Sequence, residues 1–292
     1  MVKLFSAGAA LLAFALAGAA GAAPDVVVEA VQMPAWVERD GAKIPLTPGM
    51  ELKNRDELRT GPDSRLLLMT ADGSWIKLGE RASLTLDGLQ LRKDDVFQAA
   101  LKVAEGAFRF TTEVLKGARG KREVNITVAT VTAGIRGTDL WGKSSPGRQI
   151  VCLIEGKVEV TPPGGDAIPM DSPMSFYVRE DGRSQPVALV SRAQLALWAL
   201  ETETRSGEGV AERGGKWKIT AASGKSLRDA LDVGKALRDA GYPAEIQPAK
   251  IKDRRVYDVR LSNFKSKGDA EFVVRNLRRQ EALGKYNYKV GM

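Results

Sequence analysis

The sequence predicts a multidomain chain: an all-β region over 23–190, then an α+β domain over 215–292 with the ferredoxin-like order βαββαβ. Three observations carry this. The segment 217–277 is one pattern written twice at an offset of forty residues. Nine short apolar runs separated by Gly, Asp and Pro fill the region from 26 to 178. An apolar leader precedes both.

At the N-terminus, Lys3 supplies a positive charge, residues 4–17 an apolar run of about 14, and Ala20-Gly21-Ala22 an A-x-A cleavage site. The run is shorter than the roughly 20 residues a spanning helix needs, so residues 1–22 read as a secretory signal peptide. The alternative is a retained N-terminal anchor. The sequence shows no other long apolar segment and no Cys at a cleavage site. The mature product is expected in the periplasm, without a membrane span.

The β region follows. Its expected strands are 26–31, 66–69, 75–78, 83–86, 108–111, 125–128, 150–154, 157–160 and 175–178. Pro48-Gly49, Gly61-Pro62, Asp72-Gly73, Asp87-Gly88 and Pro163-Gly164-Gly165 punctuate them, as in an all-β sandwich, roll or barrel. An internal echo also appears: 103–110 resembles 153–160, each with a central Glu-Gly, Glu105-Gly106 and Glu155-Gly156, marking a turn or bulge between two strand pieces.

The most individual segment here is Val128 to Leu140, with Arg136-Gly137-Thr138-Asp139 at its centre. Together with Thr60-Gly61-Pro62-Asp63-Ser64-Arg65 and Ala71-Asp72-Gly73-Ser74 it resembles a FecR domain, whose mark is an Arg-Gly-Thr turn and a later Glu-Gly-x-Val strand. The resemblance spans about 51–160. It implies a scaffold or protein-interaction module, or a periplasmic signalling role in which this domain senses an envelope protein partner. The iron-signalling chain of the founding family also needs a cytoplasmic portion and a membrane span, which this sequence lacks, so that role is not implied. Arg136 reads as a structural arginine bonding turn carbonyls, with ligand contact as the alternative.

Residues 191–214 are expected to be a helix and a flexible linker. Ser191 can cap a helix with Leu195, Trp198 and Thr202 on one stripe and Leu197 and Leu200 broadening it. That helix either packs on the β region or meets a partner. Residues 204–215, rich in Gly, Ser and Glu, read as a loose tether.

In the doubled segment, Trp217 aligns with Tyr257, Ile219 with Val259, Ala221 with Leu261, Ser226 with Ser266, Ala230 with Ala270, Val233 with Val273 and Leu237 with Leu277. Alternation, then Ser-x-x-Asp, then helical spacing spells strand into helix. Gly241 and Pro243 close the first helix, and further strands are expected at 244–251 and 286–290. Ile219, Ala221, Val259 and Leu261 should face the helices. Lys218, Thr220, Asp258, Arg260 and Ser262 then lie on an open sheet face, which either docks an extended polar ligand or is merely solvated.

Residues 257–264 (Tyr-Asp-Val-Arg-Leu-Ser-Asn-Phe), with Ser266, Asp269-Ala270 and Leu277, resemble the second-repeat motif of the SPOR domain. The likeness covers about 215–290. It implies binding of peptidoglycan, chiefly glycan strands stripped of stem peptides, on the open sheet face at Lys218, Thr220 and Arg260, and a link to cell division. A first-strand Gln common in the family is replaced here by Lys218. Ser262 joins this glycan surface, and Tyr286 or Tyr288 offers a flat face for a sugar ring unless alternation with Val290 buries both.

Composition limits the chemistry. No His occurs, which removes His-based triads and imidazole metal sites. Cys152, the one cysteine, sits in an apolar run and reads as a core residue rather than a reactive thiol. No carboxylate pair stands out, so no catalytic residue, metal or cofactor is expected. From 214 onward there are 18 Lys and Arg against 9 Asp and Glu, net +9, whereas the remainder, 26 against 27, is −1. A basic module suits a polyanion. The open strands lack stacking aromatics and the leader sends the chain out of the cytoplasm, which favours wall polymer over nucleic acid; a basic surface with no specific partner is the alternative.

Overall fold

The computed structural model describes residues 25–92, 96–112, 121–135, 137–251 and 254–292. The leader and Arg136 lie outside the described residues. Between 25 and 190 the chain forms two sheets packed as a sandwich. The first contains, in order, Val26–Gln32, Arg65–Thr70, Trp75–Leu78, the second half of Val96–Thr111, Asp139–Ser145, Arg148–Glu155 and Ser175–Glu180. The second runs Ala42–Pro45, Ala35–Arg39, Glu57–Thr60, Ser83–Leu91, the first half of Val96–Thr111, Lys121–Val128, Val131–Ile135, Val158–Thr161 and Ile168–Met170. Alternation puts Leu66, Leu68, Phe108, Phe110 and Leu153 of one sheet against Leu58, Leu84, Leu101, Ile126 and Val160 of the other, all in one buried core.

Eight of the nine expected strands fall within strands of the structure, and the ninth, 157–160, overlaps Val158–Thr161 but begins one residue early. Short ones were missed, among them Ala35–Arg39, Glu57–Thr60 and Ile168–Met170, where polar residues or Pro hide the apolar positions. The echoed Glu-Gly pairs prove to be corners at which the chain passes from one sheet to the other. At Gly106 the 16-residue strand Val96–Thr111 leaves the second sheet and joins the first. At Gly156 the chain returns from Arg148–Glu155 to Val158–Thr161. Both glycines have positive φ, +84° and +96°. A Cβ on Gly106 would lie 2.5 Å from the Ala82 Cα, and one on Gly156 would lie 2.4 Å from the Gly137 carbonyl.

Gly137 and Thr138 lie at a third corner, between Val131–Ile135 and Asp139–Ser145. It touches the Gly156 corner, and the Thr138 hydroxyl donates to the Lys157 carbonyl at 2.9 Å. Asp139 takes a forked pair of bonds from Arg109, at 2.9 and 2.6 Å. That pairing, chiefly the hydrogen bonds to Asp139, raises the Arg109 pKa above its usual value despite burial.

Helix α1 (Arg192–Leu200) is capped by the Ser191 hydroxyl, which accepts from the Gln194 N–H. It lies on the outer side of the first sheet. Trp198 stacks on Trp141 at 4.7 Å and nearly parallel, over a small second core containing Cys152 and Leu195. Cys152 is fully buried, and burial pushes its thiol pKa to about 12. Leu197 and Leu200 remain outside, 61% and 49% exposed. The chain leaving α1 is strapped to the same sheet by Lys77–Glu203 at 2.6 Å and Lys143–Glu201 at 2.7 Å.

The C-terminal domain has the expected βαββαβ order: Trp217–Gly224, α2 (Leu227–Asp239), Glu245–Ile251, Arg254–Phe264, α3 (Lys267–Arg279) and Lys289–Gly291. Its sheet is antiparallel, ordered Lys289–Gly291, Trp217–Gly224, Arg254–Phe264, Glu245–Ile251. Ser226 and Ser266 cap α2 and α3. Gly241, at φ +87°, ends α2, with the Tyr242 N–H returning to the Leu237 carbonyl at 3.0 Å and the Gly241 N–H to that of Arg238 at 2.9 Å.

The segment expected as a loose linker is ordered differently. Val210–Glu212 is a strand, paired on one edge with Ala30–Gln32 of the first sheet and on the other with Phe264 of the C-terminal sheet. Asp269, fully buried at the start of α3, accepts from the backbone N–H groups of Gly207, Gly209 and Val210 at 2.8, 3.1 and 2.9 Å. The glycines that suggested flexibility instead supply positive φ, +86° at Gly207 and +96° at Gly209, letting three donors converge on one carboxylate. Lys43 completes the contact, donating to the Asp239 carbonyl at 2.6 Å.

Two tests follow from these contacts. Gly106→Ala and Gly156→Ala should each lower the unfolding free energy measured by urea titration, by about 1–3 kcal/mol for the backbone angle and more for the clash; Gly164→Ala, at φ +66° in open space, should cost the backbone part alone. Asp269→Ala should remove roughly 3 kcal/mol of charge-assisted bonding and make 204–215 more readily cut in limited proteolysis than in the unaltered chain.

Candidate functional site

The open face of the C-terminal sheet is the candidate site. Helices α2 and α3 cover the other face, burying Val233 and Leu237, and Val273 and Leu277, against Ile219, Ala221, Val259 and Leu261. Antiparallel partners project to the same side. Lys289, Thr220, Arg260 and Glu245 therefore form one row across the face, and Ser223, Asp258 and Gln247 the next. Lys218, Thr220, Arg260 and Ser262 are all half-buried, set in a floor rather than waving in solvent.

Three polar side chains on this floor are already joined. Arg260 donates through Nη1 to Gln247 at 2.9 Å and through Nη2 to Asp258 Oδ2. Asp258 is only 7% exposed although it lies on the open side, because Arg260 covers it. Its second oxygen and the Arg260 Nε have no hydrogen-bond partner. Both atoms are buried beneath the face, so the trio is a fixed polar floor whose inner donor and acceptor are unpaired.

Lys218, Thr220, Arg260 and Ser262 share this face. Tyr288 does not. It is 5% exposed and turned toward the helices, its hydroxyl donating to the Leu283 carbonyl at 2.8 Å. Burial first of all, with Tyr286 and Tyr242 nearby, holds its hydroxyl pKa well above the usual tyrosine value. The reason is register: Val290 pairs with Ile219 on the helix side, and residues two apart share a side. Tyr286 likewise packs partly against the core. Lys289 takes the outward position instead, opposite Thr220. Gln247 and Lys289 were missed because edge strands this short have no pattern that fixes their register; Asp258 gave its side by alternation but not its pairing.

Among the described residues no cluster of carboxylates and cysteine is grouped to hold a metal ion, and no helix is long and apolar enough to cross a membrane.

Comparison with known proteins adds two domain matches. Residues 56–159 match the family model described as FecR protein, and residues 214–285 match that of the SPOR domain. No curated protein matches the chain. Two crystal structures of a candidate anti-sigma factor from Parabacteroides distasonis are similar at 13% identity. One has a TM-score of 0.40 over 69% of this chain and 97% of that chain. The other has 0.39 over 76% and 90%. The sandwich with its Glu-Gly corners and the βαββαβ sheet fall on the two matched segments, and the chain therefore carries a FecR domain followed by a C-terminal SPOR domain.

Proposed function

We propose that this chain is a non-enzymatic periplasmic envelope protein that lays a peptidoglycan glycan strand across the open face of its SPOR domain. The observation that carries this reading is the bare sheet face with its fixed Arg260–Asp258–Gln247 trio, flanked by Lys218, Thr220, Ser262 and Lys289. A glycan presents hydroxyls and acetamides, which need donors and acceptors alternately. Thr220 and Ser262 supply half-buried hydroxyls, Lys218 and Lys289 donors, and the Arg260–Gln247 pair a guanidinium and an amide on the same floor. The net +9 of the chain from 214 onward adds attraction to an anionic wall. A nucleic acid fits less well: the aromatic rings of Tyr257, Tyr286 and Tyr288 pack on the helix side, and Asp258 would oppose phosphate.

The test is co-sedimentation of the full chain with peptidoglycan sacculi, with and without prior amidase treatment. Lys218→Ala with Thr220→Val, and separately Asp258→Asn with Arg260→Gln, should each weaken binding about tenfold, the equivalent of roughly 1.4 kcal/mol. Removing Asp258 and Arg260 together avoids stranding a buried charge. Sedimentation equal to that of the unaltered chain would sink the reading.

A second reading, regulation through a protein partner of the FecR domain, is favoured by the apolar side chains left outside near α1. Leu189 is 72% exposed, and Leu197 and Leu200 lie on the outer side of the helix. Leu197→Asp with Leu200→Asp should abolish in-cell crosslinking to an envelope protein while leaving sacculus binding and thermal midpoint unchanged. Unchanged crosslinking would count against it.

A further inference from the structure

A pocket of about 330 Å³ opens on the FecR domain beside the strap that follows α1. That size suits one small molecule rather than a polymer. Arg65 forms its inner wall; Glu80, Arg81 and Glu105 stand at its rim, and Lys143 and Glu201 close the strap side. Arg65 begins the strand Arg65–Thr70, in which Leu66 and Leu68 point into the sandwich, so its own side chain lies on the outer side of the sheet. There it is only 7% exposed.

The bonding of this arginine is incomplete. Nη1 donates to the Ser64 carbonyl at 2.7 Å, Nε is buried without a partner, and among the described residues no carboxylate comes within ion-pair distance. A guanidinium taken out of water without an ion-pair partner is costly, and burial lowers its pKa more than the surrounding Glu80, Glu208 and Asp63 restore it. The half-buried Arg109, by contrast, is paired with Asp139. Around Arg65 the neighbours' bonds are already spent: Lys143 on Glu201, the Ser144 hydroxyl on the Ala104 carbonyl, the Ser145 hydroxyl on that of Arg148. An incoming carboxylate would supply the counter-charge Arg65 lacks.

The charge balance narrows the ligand further. Arg65, Arg81 and Lys143 stand against Glu80, Glu105 and Glu201, so the lining is neutral overall. Such a site gains little from a polyanion or polycation and most from a ligand carrying both signs close together. We propose that this pocket binds the zwitterionic head of a free amino acid, its carboxylate against Arg65 and its ammonium against Glu105 and Glu80. The site lies on the FecR domain, apart from the glycan face, and does not depend on it.

Titration calorimetry on the full chain tests this, using the twenty common L-amino acids and D-alanine and D-glutamate one at a time. At least one should bind at a stoichiometry of one. Its carboxamide and its N-acetyl derivative should each bind at least tenfold more weakly, the first by losing the partner of Arg65 and the second by losing that of the glutamates. Arg65→Gln should abolish binding with circular dichroism and sacculus sedimentation intact. If Arg65→Gln fails to fold, Glu105→Gln at the exposed rim should weaken the free amino acid but not its N-acetyl derivative. No binder in the panel, equal binding of the carboxamide, or stronger binding of sulfate than of any amino acid would overturn the proposal.

Discussion

The arrangement of this molecule depends on one short strand. Val210–Glu212 is hydrogen-bonded on both edges, to Ala30–Gln32 of the FecR domain and to Phe264 of the SPOR domain. The Asp269 carboxylate fixes the turn leading into it. A buried carboxylate holding three backbone donors is among the stronger polar contacts a protein makes. Because the donors come from the linker and the acceptor from α3, the contact orders the linker and docks the SPOR domain together. The core is correspondingly continuous: Met33 of the sandwich, Ala211 of the bridging strand and Phe264 of the C-terminal sheet belong to one buried cluster.

That docking leaves the open face of the SPOR sheet free. The FecR domain meets the SPOR domain at the end of α2, where Gly241 sits against Pro34 and Trp36, and at the end of the strand Arg254–Phe264. It does not cover Thr220, Arg260 or Lys289, which lie on the opposite surface of the sheet from α2 and α3. The same economy shows in the paired sequence positions Asp229 and Asp269. Both follow a capping serine by three residues. Asp229 is exposed at the start of α2, whereas Asp269 is buried, because only α3 begins against the linker.

Much of this was legible in the chain itself. The forty-residue repeat specified both strands, both helices and the side of the sheet on which Ile219 and Leu261 would be buried, because period two and period 3.6 are written by burial itself. The Glu105-Gly106 and Glu155-Gly156 echo marked two sheet-changing corners, because each needs a residue without a side chain. What pattern could not carry was tertiary pairing. A Gly-rich stretch reads alike whether its backbone is solvated or gathered round a carboxylate from sixty residues away, so the linker looked loose. Tyr288 was placed on the ligand face because a three-residue edge strand offers too few positions to fix which side faces out. The pairing of Arg260 with Asp258 and Gln247, and the orphaned nitrogen of Arg65, depend on strand neighbours the sequence does not name.

A strand bonded along both edges has a mechanical consequence. A pull on the C-terminal sheet does not first stretch slack chain; it reaches the long sheet of the sandwich through the main-chain bonds beside Ala30, Val31 and Gln32. The junction therefore behaves as a stiff coupling, in which the tilt of the SPOR sheet sets the direction that the sandwich and its exposed leucines face.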